Sequence, residues 1–407
     1  AGEVQAPVKL CCDTSTGAEC DAIMDAFGGY DACIEETGNP VLPGYTASKV
    51  RWFKDHHADL YAQMDTILLP HDYLNFYLTG ERSMEAGDAS GTGFLDVRTR
   101  SWSEKMLAAI DPDRDLSECL PDVRLDNGPI GELLPSIAKE LALPPEVPVS
   151  IGGGDNMMGA LGTGNVAAGV VTMSLGTSGT VYAFSDKPVI DRKGNIAAFC
   201  SSTGGWLPLL CTMNCTVSTE LMRNLVQADI ASFEAQLEAS DRGADGVITV
   251  PYFNGERTPN LPSAKGCILG LDSRNTRPEN LLRSAVEGAT FALRFGLDEL
   301  AGLGVSAEQI VLTGGGANSA TWRQVVADIC NTPVTILKNN EGAGFGAALQ
   351  ALATLGDEPN ELGDLVDEHL QRDPEQSLEP RPSAVDFYTN TYKEYQRGAE
   401  KVAELYS

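Results

Sequence analysis

The chain has 407 residues, of which 29 are basic and 57 are acidic, and its formal net charge is −28. A hydrophobic content of 43% is enough to build buried cores, and the length predicts roughly two or three domains. So large an acidic excess argues against charge-driven binding to nucleic acid or to an anionic membrane, because both surfaces are negative themselves. We therefore expect neither kind of partner.

The cysteines and histidines indicate neither a metal site nor a disulfide framework. None of the 10 cysteines forms a C-x-x-C pair, and the 4 histidines show no H-E-x-x-H spacing. Most cysteines stand beside apolar or small residues, which is typical of reduced, buried thiols in a cytoplasmic protein. The sequence contains no apolar run long enough to predict a transmembrane helix.

The first part of the chain is predicted to be mainly helical over residues 18–87. Within it, a helix over 72–78 follows the break at Pro70. Another helix is predicted over 102–110, capped by Ser101 or Ser103.

The first candidate site lies where a strand runs into three glycines. Residues 147–151 form a β-branched run, Gly152-Gly153-Gly154-Asp155 follows, and small residues at 156–161 predict a helix. A carboxylate at such a strand end stands where α/β folds bind ligands, so Asp155 could accept a proton from a substrate hydroxyl. From the residues alone, an Asp that merely caps the helix is about equally well supported.

A glycine-bounded loop, Gly176-Thr177-Ser178-Gly179, lies between two predicted hairpin strands at 170–174 and 180–184. A second such loop, residues 314–318, follows a strand at 309–312. Glycines allow close approach of the backbone to a phosphate or a flat ring, and hydroxyls add donors. Each loop alone could be a simple tight turn, but two of them together with Asp155 favour a nucleotide cleft.

The rest of the second half alternates strands and helices, which predicts a helix-flanked, mixed or parallel sheet. A capping box at Thr276-x-x-Glu279 is predicted to open a long helix. The further predicted elements are a helix over 320–329, a strand over 333–337, a helix over 347–355 after the glycines of 342–346, a linker over 374–382 and a final helix over 384–406.

Other nucleotide-binding motifs are absent from the sequence. The dipeptide Gly-Lys does not occur, which excludes a P-loop, and no G-x-G-x-x-G opens a dinucleotide-binding unit. The polar segment 252–260 suits either an ordered turn or a loop that lines a cleft, and the residues alone favour the turn.

Taken in order along the chain, these motifs resemble those of the FGGY family of carbohydrate kinases, and within it the branch that acts on xylulose. The resemblance covers essentially the whole chain. The segments that carry it are residues 43–49, 69–74, 88–92, 152–156, 173–179, 255–259, 313–318 and 342–347.

The resemblance implies an α/β, actin-like ATPase (ribonuclease H-like) fold with two domains around a cleft, the first truncated at its N-terminus. Residues 1–163 would be the sugar-binding domain and 164–407 the ATP-binding domain. The implied reaction is ATP-dependent phosphorylation of a ketopentose, most specifically D-xylulose to D-xylulose 5-phosphate, with Mg²⁺ and Asp155 as general base. The implied sugar contacts are Asp155, Asn156 and Asp13, and the implied ATP contacts are Gly176, Thr177, Ser178, Gly314, Gly315, Ala317 and Asn318.

The chain departs from the family pattern at its start. The expected Asp-x-Gly-Thr phosphate loop and Met-His-Gly segment are not found, and Cys11 stands where relatives often carry tryptophan. We therefore expect these 407 residues alone to be inactive or nearly so. Alternatives are an FGGY kinase for ribulose or glycerol, a non-catalytic sugar- or nucleotide-binding relative, and a chaperone-like ATPase of the same fold. Relatives are often dimers, so a homodimer is one expected assembly.

Overall fold

The computed structural model describes residues 2–11, 13–338, 341–355 and 362–406. The chain divides into two compact units, each built from three segments. Unit 1 comprises Ala1–Val166, Phe184–Pro208 and Glu341–His369. Unit 2 comprises Ala167–Ala183, Leu209–Asn340 and Leu370–Ser407.

Helices account for most of the regular structure. In chain order they are α1 (Gly17–Phe27), α2 (Tyr30–Thr37), α3 (Thr46–His56), α4 (Ala58–Tyr61), α5 (Pro70–Thr79), α6 (Ala86–Ala89), α7 (Glu104–Ile110), α8 (Pro135–Glu140), α9 (Asp155–Thr163), α10 (Thr216–Leu225), α11 (Ile230–Ala239), α12 (Pro278–Gly302), α13 (Ala320–Cys330), α14 (Ala343–Ala353), α15 (Leu362–His369) and α16 (Pro382–Ala403). Within the described ranges, no helix combines the length and apolar content that crossing a bilayer requires.

Strands of two to four residues occur in both units, and the strands of five to seven residues lie in unit 2. In chain order they are β1 (Met84–Glu85), β2 (Leu95–Asp96), β3 (Ser101–Trp102), β4 (Val123–Arg124), β5 (Pro129–Glu132), β6 (Pro148–Ser150), β7 (Gly169–Leu175), β8 (Gly179–Ala183), β9 (Leu209–Thr212), β10 (Ile248–Val250), β11 (Cys267–Leu269), β12 (Ala307–Thr313) and β13 (Val334–Thr335).

Unit 1 buries the apolar faces of its first helices in one core, as the helical prediction for residues 18–87 requires. Ile23 of α1, Phe94, and Met106 and Ile110 of α7 are fully buried in this core. The Ser103 side chain caps α7 by accepting a hydrogen bond from the backbone N–H of Met106. Of the two caps that the sequence allowed, Ser101 and Ser103, the structure therefore shows Ser103. Three separate two-stranded pairs, β1–β4, β2–β3 and β5–β6, complete the unit.

A five-stranded mixed sheet forms the centre of unit 2, in the order β13-β12-β7-β8-β9. The first three strands are parallel, and β8 and β9 run antiparallel to their neighbours, which confirms the predicted sheet type and the β7–β8 hairpin. Thr313, which ends β12, pairs with Ser174 near the end of β7. The loops that follow these two strands therefore leave the same edge of the sheet.

Two sequence predictions in unit 2 are wrong. The long helix α12 begins at Pro278, and the Thr276 hydroxyl donates to the Asp272 carbonyl (2.5 Å) instead of capping the helix. Pro278 fills the first helical position, where its fixed φ favours the helix start. The predicted linker at 374–382 is partly a strand-like segment, because Leu378 exchanges backbone hydrogen bonds with Val334 (2.8 and 2.9 Å).

Aromatic side chains form a stripe along the last helix and pack into the core of unit 2. Tyr388, Tyr392 and Tyr395 of α16 are buried and contact the ring of Phe291 on α12. Phe387 is different, since it is 40% exposed. The stripe therefore joins α16 to α12, the longest helix of the unit.

A buried ion pair lies at this junction. Arg283 Nε donates to Glu287 Oε1 (2.6 Å), and both side chains are buried within α12. The Tyr388 hydroxyl donates to the same carboxylate oxygen (2.6 Å) and accepts from Arg283 Nη2 (2.7 Å). The Tyr388 hydroxyl thus hydrogen-bonds to both charged groups of the ion pair.

Tyr388→Phe is expected to lower the free energy of unfolding by about 2 kcal/mol, because two buried charged groups each lose a hydrogen bond. Urea unfolding followed by circular dichroism measures the change. Tyr77→Phe is the matched control, since Tyr77 is 49% exposed, and it should change stability by less than about 0.5 kcal/mol. A Tyr388→Phe protein as stable as this control would contradict the prediction.

The nine cysteines that the structure describes are free thiols, and five of them are buried. Cys12 lies outside the described residues. Burial raises the pKa of Cys20 to about 11, so this thiol stays protonated and unreactive at neutral pH.

Candidate functional site

The loop that carries Asp155 joins β6 to α9 within unit 1. The helix starts at Asp155, one residue earlier than predicted, and Gly154 occupies the N-cap position. Asp155 is exposed, and its Oδ1 accepts from the backbone N–H (2.8 Å) and the side-chain amide (3.0 Å) of Asn156. The structure therefore places Asp155 and Asn156 together, with a carboxylate in solvent at a helix N-terminus that stabilises negative charge.

Two buried amide side chains hold the backbone of this loop. Asn75 Nδ2 donates to the Ile151 carbonyl (2.6 Å). Gln350 accepts from the Gly152 N–H (2.8 Å) and donates to the Gly152 carbonyl (3.0 Å), so it holds the two peptide groups that flank this residue. The chain segment before Asp155 is thus fixed by hydrogen bonds from α5 and α14.

Helix α9 continues from this loop and packs directly on α14. A Cβ at Gly162 of α9 would overlap the carbonyl oxygen of Gly342, and a Cβ at Gly346 of α14 would overlap that of Met158. The two helix backbones therefore touch, and only glycine fits at either point of contact. The predicted start of α14 at residue 347 is wrong by four residues, because the glycine segment is itself helical from Ala343.

A cluster of charged side chains lies behind the loop. His71 Nδ1 is 2.6 Å from Asp88 Oδ2, and His71 Nε2 is 3.2 Å from Asp72 Oδ1. Glu85, also buried, accepts from the Asp88 N–H (2.9 Å) and the Ser202 hydroxyl (3.0 Å). We call His71, Asp72, Glu85 and Asp88 the loop-supporting cluster.

Sequence reasoning missed this cluster, although the segments 69–74 and 88–92, which carry part of the family resemblance, supply His71, Asp72 and Asp88. The available pattern was a histidine and two acidic residues in short helices of one unit. His71, Asp72 and Asp88 bring three metal-ligand atoms within 4.8 Å of one another. Both ring nitrogens already face carboxylates, so we assign the three side chains to an ion-paired network rather than to a metal site.

Asp13, the third predicted sugar contact, is held by a different segment of unit 1. Its Oδ1 accepts from the Ser15 N–H (2.9 Å), and its Oδ2 lies 3.3 Å from Lys9 Nζ. The Ser15 hydrogen bonds lower the pKa of Asp13 to about 2, so the carboxylate is ionised. The structure thus gives Asp13 its own local partners, and its role as a sugar contact stays a prediction.

The two predicted nucleotide loops are neighbours in unit 2. A Cβ at Gly314 would lie 2.7 Å from the Leu175 carbonyl carbon, so the loop after β12 passes against the end of β7. Gly314 also has a φ of +84°, which favours glycine. Parallel pairing of β7 with β12 therefore brings together the loops that the sequence singled out separately.

The loop 176–179, which carries two hydroxyls, is hydrogen-bonded to the start of α10. Cys215 and Thr216 donate their N–H groups to the carbonyls of Thr177 (3.0 Å) and Gly176 (2.9 Å). The side chains of Thr177 and Ser178 are exposed. The loop thus presents two hydroxyls to solvent while the carbonyls of Gly176 and Thr177 accept hydrogen bonds.

The loop after β12 forms a short 3₁₀ turn, Gly315–Asn318, before α13 begins. Gly315 and Asn318 are exposed, whereas Ala317 is buried and its carbonyl accepts from Arg323 (2.8 Å). Ser319 caps α13, whose predicted start at residue 320 is confirmed. Exposed backbone and an amide side chain at this edge can bind a polar, flat ligand.

The polar segment 252–260 is ordered by one buried carboxylate. Glu256 accepts from the N–H groups of Met213 (2.6 Å) and Arg257 (2.8 Å) and from Asn214 Nδ2 (3.2 Å). Burial raises the pKa of Glu256 to about 7, although these hydrogen bonds favour the ionised form. This arrangement fits the ordered-turn interpretation of the segment.

The sequence and the structure were then compared with known proteins. Residues 3–162 match the N-terminal domain of the FGGY family of carbohydrate kinases, and residues 171–355 match its C-terminal domain. The xylulose kinase of Haemophilus influenzae is 44% identical over 387 residues, which is 95% of this chain and 78% of that protein. The xylulose kinase of Klebsiella pneumoniae is 34% identical over an alignment of 411 residues, gaps included, which covers 100% of this chain and 82% of that protein.

Solved structures agree with the sequence comparisons. The xyloylose kinase of Brucella ovis superposes with a TM-score of 0.90 at 29% identity, covering 99% of this chain and 81% of that one. The predicted α/β actin-like ATPase fold class is confirmed by this likeness. By its sequence and by its structure, the chain belongs to the FGGY family of carbohydrate kinases.

Proposed function

We propose that the protein transfers the γ-phosphoryl group of ATP to a hydroxyl of D-xylulose and forms D-xylulose 5-phosphate. The 44% identity to a xylulose kinase over 387 residues carries this assignment. The exposed carboxylate of Asp155, on a loop held in place by Asn75 and Gln350, supplies a base for the reaction.

On the sugar side, Asp155 orients the reacting hydroxyl and accepts its proton as the bond to phosphorus forms. Asn156 lies beside it and offers an amide for a second sugar hydroxyl, and Asp13 offers an ionised carboxylate. Buried sugar hydroxyls need such partners, because a polar group without a hydrogen bond costs free energy. We assign residues 1–163 to sugar binding and residues 164–407 to ATP binding.

On the nucleotide side, Gly176, Thr177 and Ser178 bind the terminal phosphates, and Gly314, Gly315, Ala317 and Asn318 hold the adenosine. Hydroxyls and backbone N–H groups suit phosphate in a chain of net charge −28, because they add no negative charge. Mg²⁺ would neutralise the phosphates when bound with ATP. The exposed hydroxyl oxygens of Thr177 and Ser178 are hard oxygen ligands of the kind that Mg²⁺ accepts.

A coupled ADP-release assay of the full-length protein tests the substrate. We expect kcat/KM for D-xylulose to exceed that for D-ribulose and for glycerol by about tenfold or more. Faster turnover of ribulose or glycerol would assign another substrate. Binding of ATP and ketose without transfer, seen by calorimetry, would indicate a non-catalytic relative.

We also propose that the protein is cytoplasmic and that it forms a homodimer. Light scattering after size-exclusion chromatography measures the mass of the assembly.

A further inference from the structure

The loop-supporting cluster touches each glycine of the loop that precedes Asp155. A Cβ at Gly152 would lie 3.3 Å from His71 Cδ2, and one at Gly154 would lie 3.1 Å from Asp88 Oδ1. A Cβ at Gly153 would lie 3.0 Å from the Ser202 hydroxyl, which donates to Glu85. The three glycines therefore pack against the side chains of this cluster.

The cluster contains one imidazole and three carboxylates. The charged groups that face the ring are Asp72 of α5, Glu85 of β1 and Asp88 of α6. On the loop side the ring lies beside Gly152, with Cδ2 3.3 Å from where a Cβ of that residue would stand. A protonated ring donates from Nδ1 to Asp88 and places its positive charge beside Asp72, whose Oδ1 lies 3.2 Å from Nε2, whereas a neutral ring leaves one carboxylate facing a lone pair.

We propose that protonated His71 is a positioning residue, which holds the loop 152–154 and thereby sets the orientation of Asp155 for phosphoryl transfer. The inference rests on the function proposed above. His71 lies against Gly152 at one end of the glycine run, and its partner Asp88 lies against Gly154 at the other end. Gln350 and Asn75 fix the backbone at and before Gly152. Removing the proton turns an attraction between the ring and Asp72 into a repulsion between a lone pair and a carboxylate.

The charge on the ring persists through neutral pH. Burial disfavours the charged ring, but the hydrogen bond with Asp88 and the negative charges of Asp72, Asp88 and Glu85 raise the pKa of His71 to about 9. Since this value lies above the ordinary 6.5, the ring is protonated in the neutral range and loses its proton as the pH rises through about 9. The loop should therefore loosen at alkaline pH.

The test compares His71→Gln, His71→Lys and Asp88→Asn in the full-length protein across pH 7–10, with folding checked by circular dichroism. We expect His71→Gln to lower kcat by about 100-fold with an unchanged KM for ATP, because the base is misplaced while the nucleotide loops are intact. His71→Lys restores a positive charge and should recover part of kcat. His369→Gln, at an exposed histidine, is the control and should leave kcat unchanged.

The pH profiles separate positioning from a merely structural role. The wild-type kcat should fall above about pH 9, this decline should move to higher pH in His71→Lys, and it should move to lower pH in Asp88→Asn. A folded His71→Gln protein whose kcat stays within threefold of wild type, with the same alkaline decline, would overturn the proposal.

A second readout needs no turnover. In nuclear magnetic resonance spectra, the ring of His71 should titrate near pH 9, and the amide signals of residues 152–154 should move with it. His71→Gln identifies the ring signal among the 4 histidines of the chain. If no ketose is phosphorylated, the proposed function fails, but this titration still tests whether His71 positions the loop 152–154. Amide signals of residues 152–154 that do not change as the His71 ring titrates would refute the proposal.

Discussion

Asp155→Asn is expected to lower kcat for ketose phosphorylation by about 1,000-fold while leaving ATP affinity unchanged. The amide has the size of the carboxylate, but it cannot accept the proton of the sugar hydroxyl, and general-base catalysis typically contributes 10²–10⁴-fold. Asp155 is exposed, and its carboxylate accepts hydrogen bonds from the neighbouring Asn156. An asparagine there should therefore fold as the wild type does, so the loss should lie in the chemical step.

Steady-state kinetics with D-xylulose measures kcat, and calorimetry with a non-hydrolysable ATP analogue measures nucleotide affinity. Asp367→Asn is the matched control, because Asp367 is an exposed carboxylate on α15 in the same unit. A variant at Asp155 that keeps kcat within tenfold of wild type would show that another group accepts the proton. A loss that lies entirely in ATP affinity would show that Asp155 contributes to nucleotide binding instead.

The second large effect is expected from a single added methyl group between two helices. Gly162→Ala should lower the free energy of unfolding by about 3 kcal/mol or more, because the new Cβ overlaps the Gly342 carbonyl and α9 must move away from α14. Asp155 begins α9 and Gln350 belongs to α14, so the same movement should also lower kcat.

Gly344→Ala, on the partner helix α14, is the control. Gly344 is exposed and has no atom within 4 Å of an added Cβ, so alanine should stabilise the helix by up to about 1 kcal/mol. Thermal unfolding of both variants, with kcat measured at a temperature where both are folded, gives the comparison. A Gly162→Ala protein as stable as the control would mean that the two helices are not in backbone contact.

Local patterns in the sequence were sufficient for the elements that carry the candidate site. The β-branched run before Gly152 predicted β6, and the alternation around residues 176–179 predicted the β7–β8 hairpin. Where two local preferences compete, prediction failed, as at Thr276, where Pro278 starts the helix instead.

Contacts between distant segments were beyond reach from one sequence. Gln350 is 198 residues from Gly152, and nothing in the residues near either one predicts that they meet. His71 and Asp88 are only 17 residues apart, but their pairing depends on how α5 and α6 pack in unit 1. The candidate base was therefore predictable, whereas the residues that hold its loop were not.

The discontinuous build of unit 1 has a consequence for synthesis of the protein. The loop 152–155 leaves the ribosome well before Gln350, which is made 198 residues later, or roughly 10–40 s at ordinary elongation rates. During this interval α9 must stay folded although α14, which packs against its Gly162, has not yet been made. A message that ends after α13 would encode the sheet of unit 2 up to β12 but would leave the loop of Asp155 without its clamp.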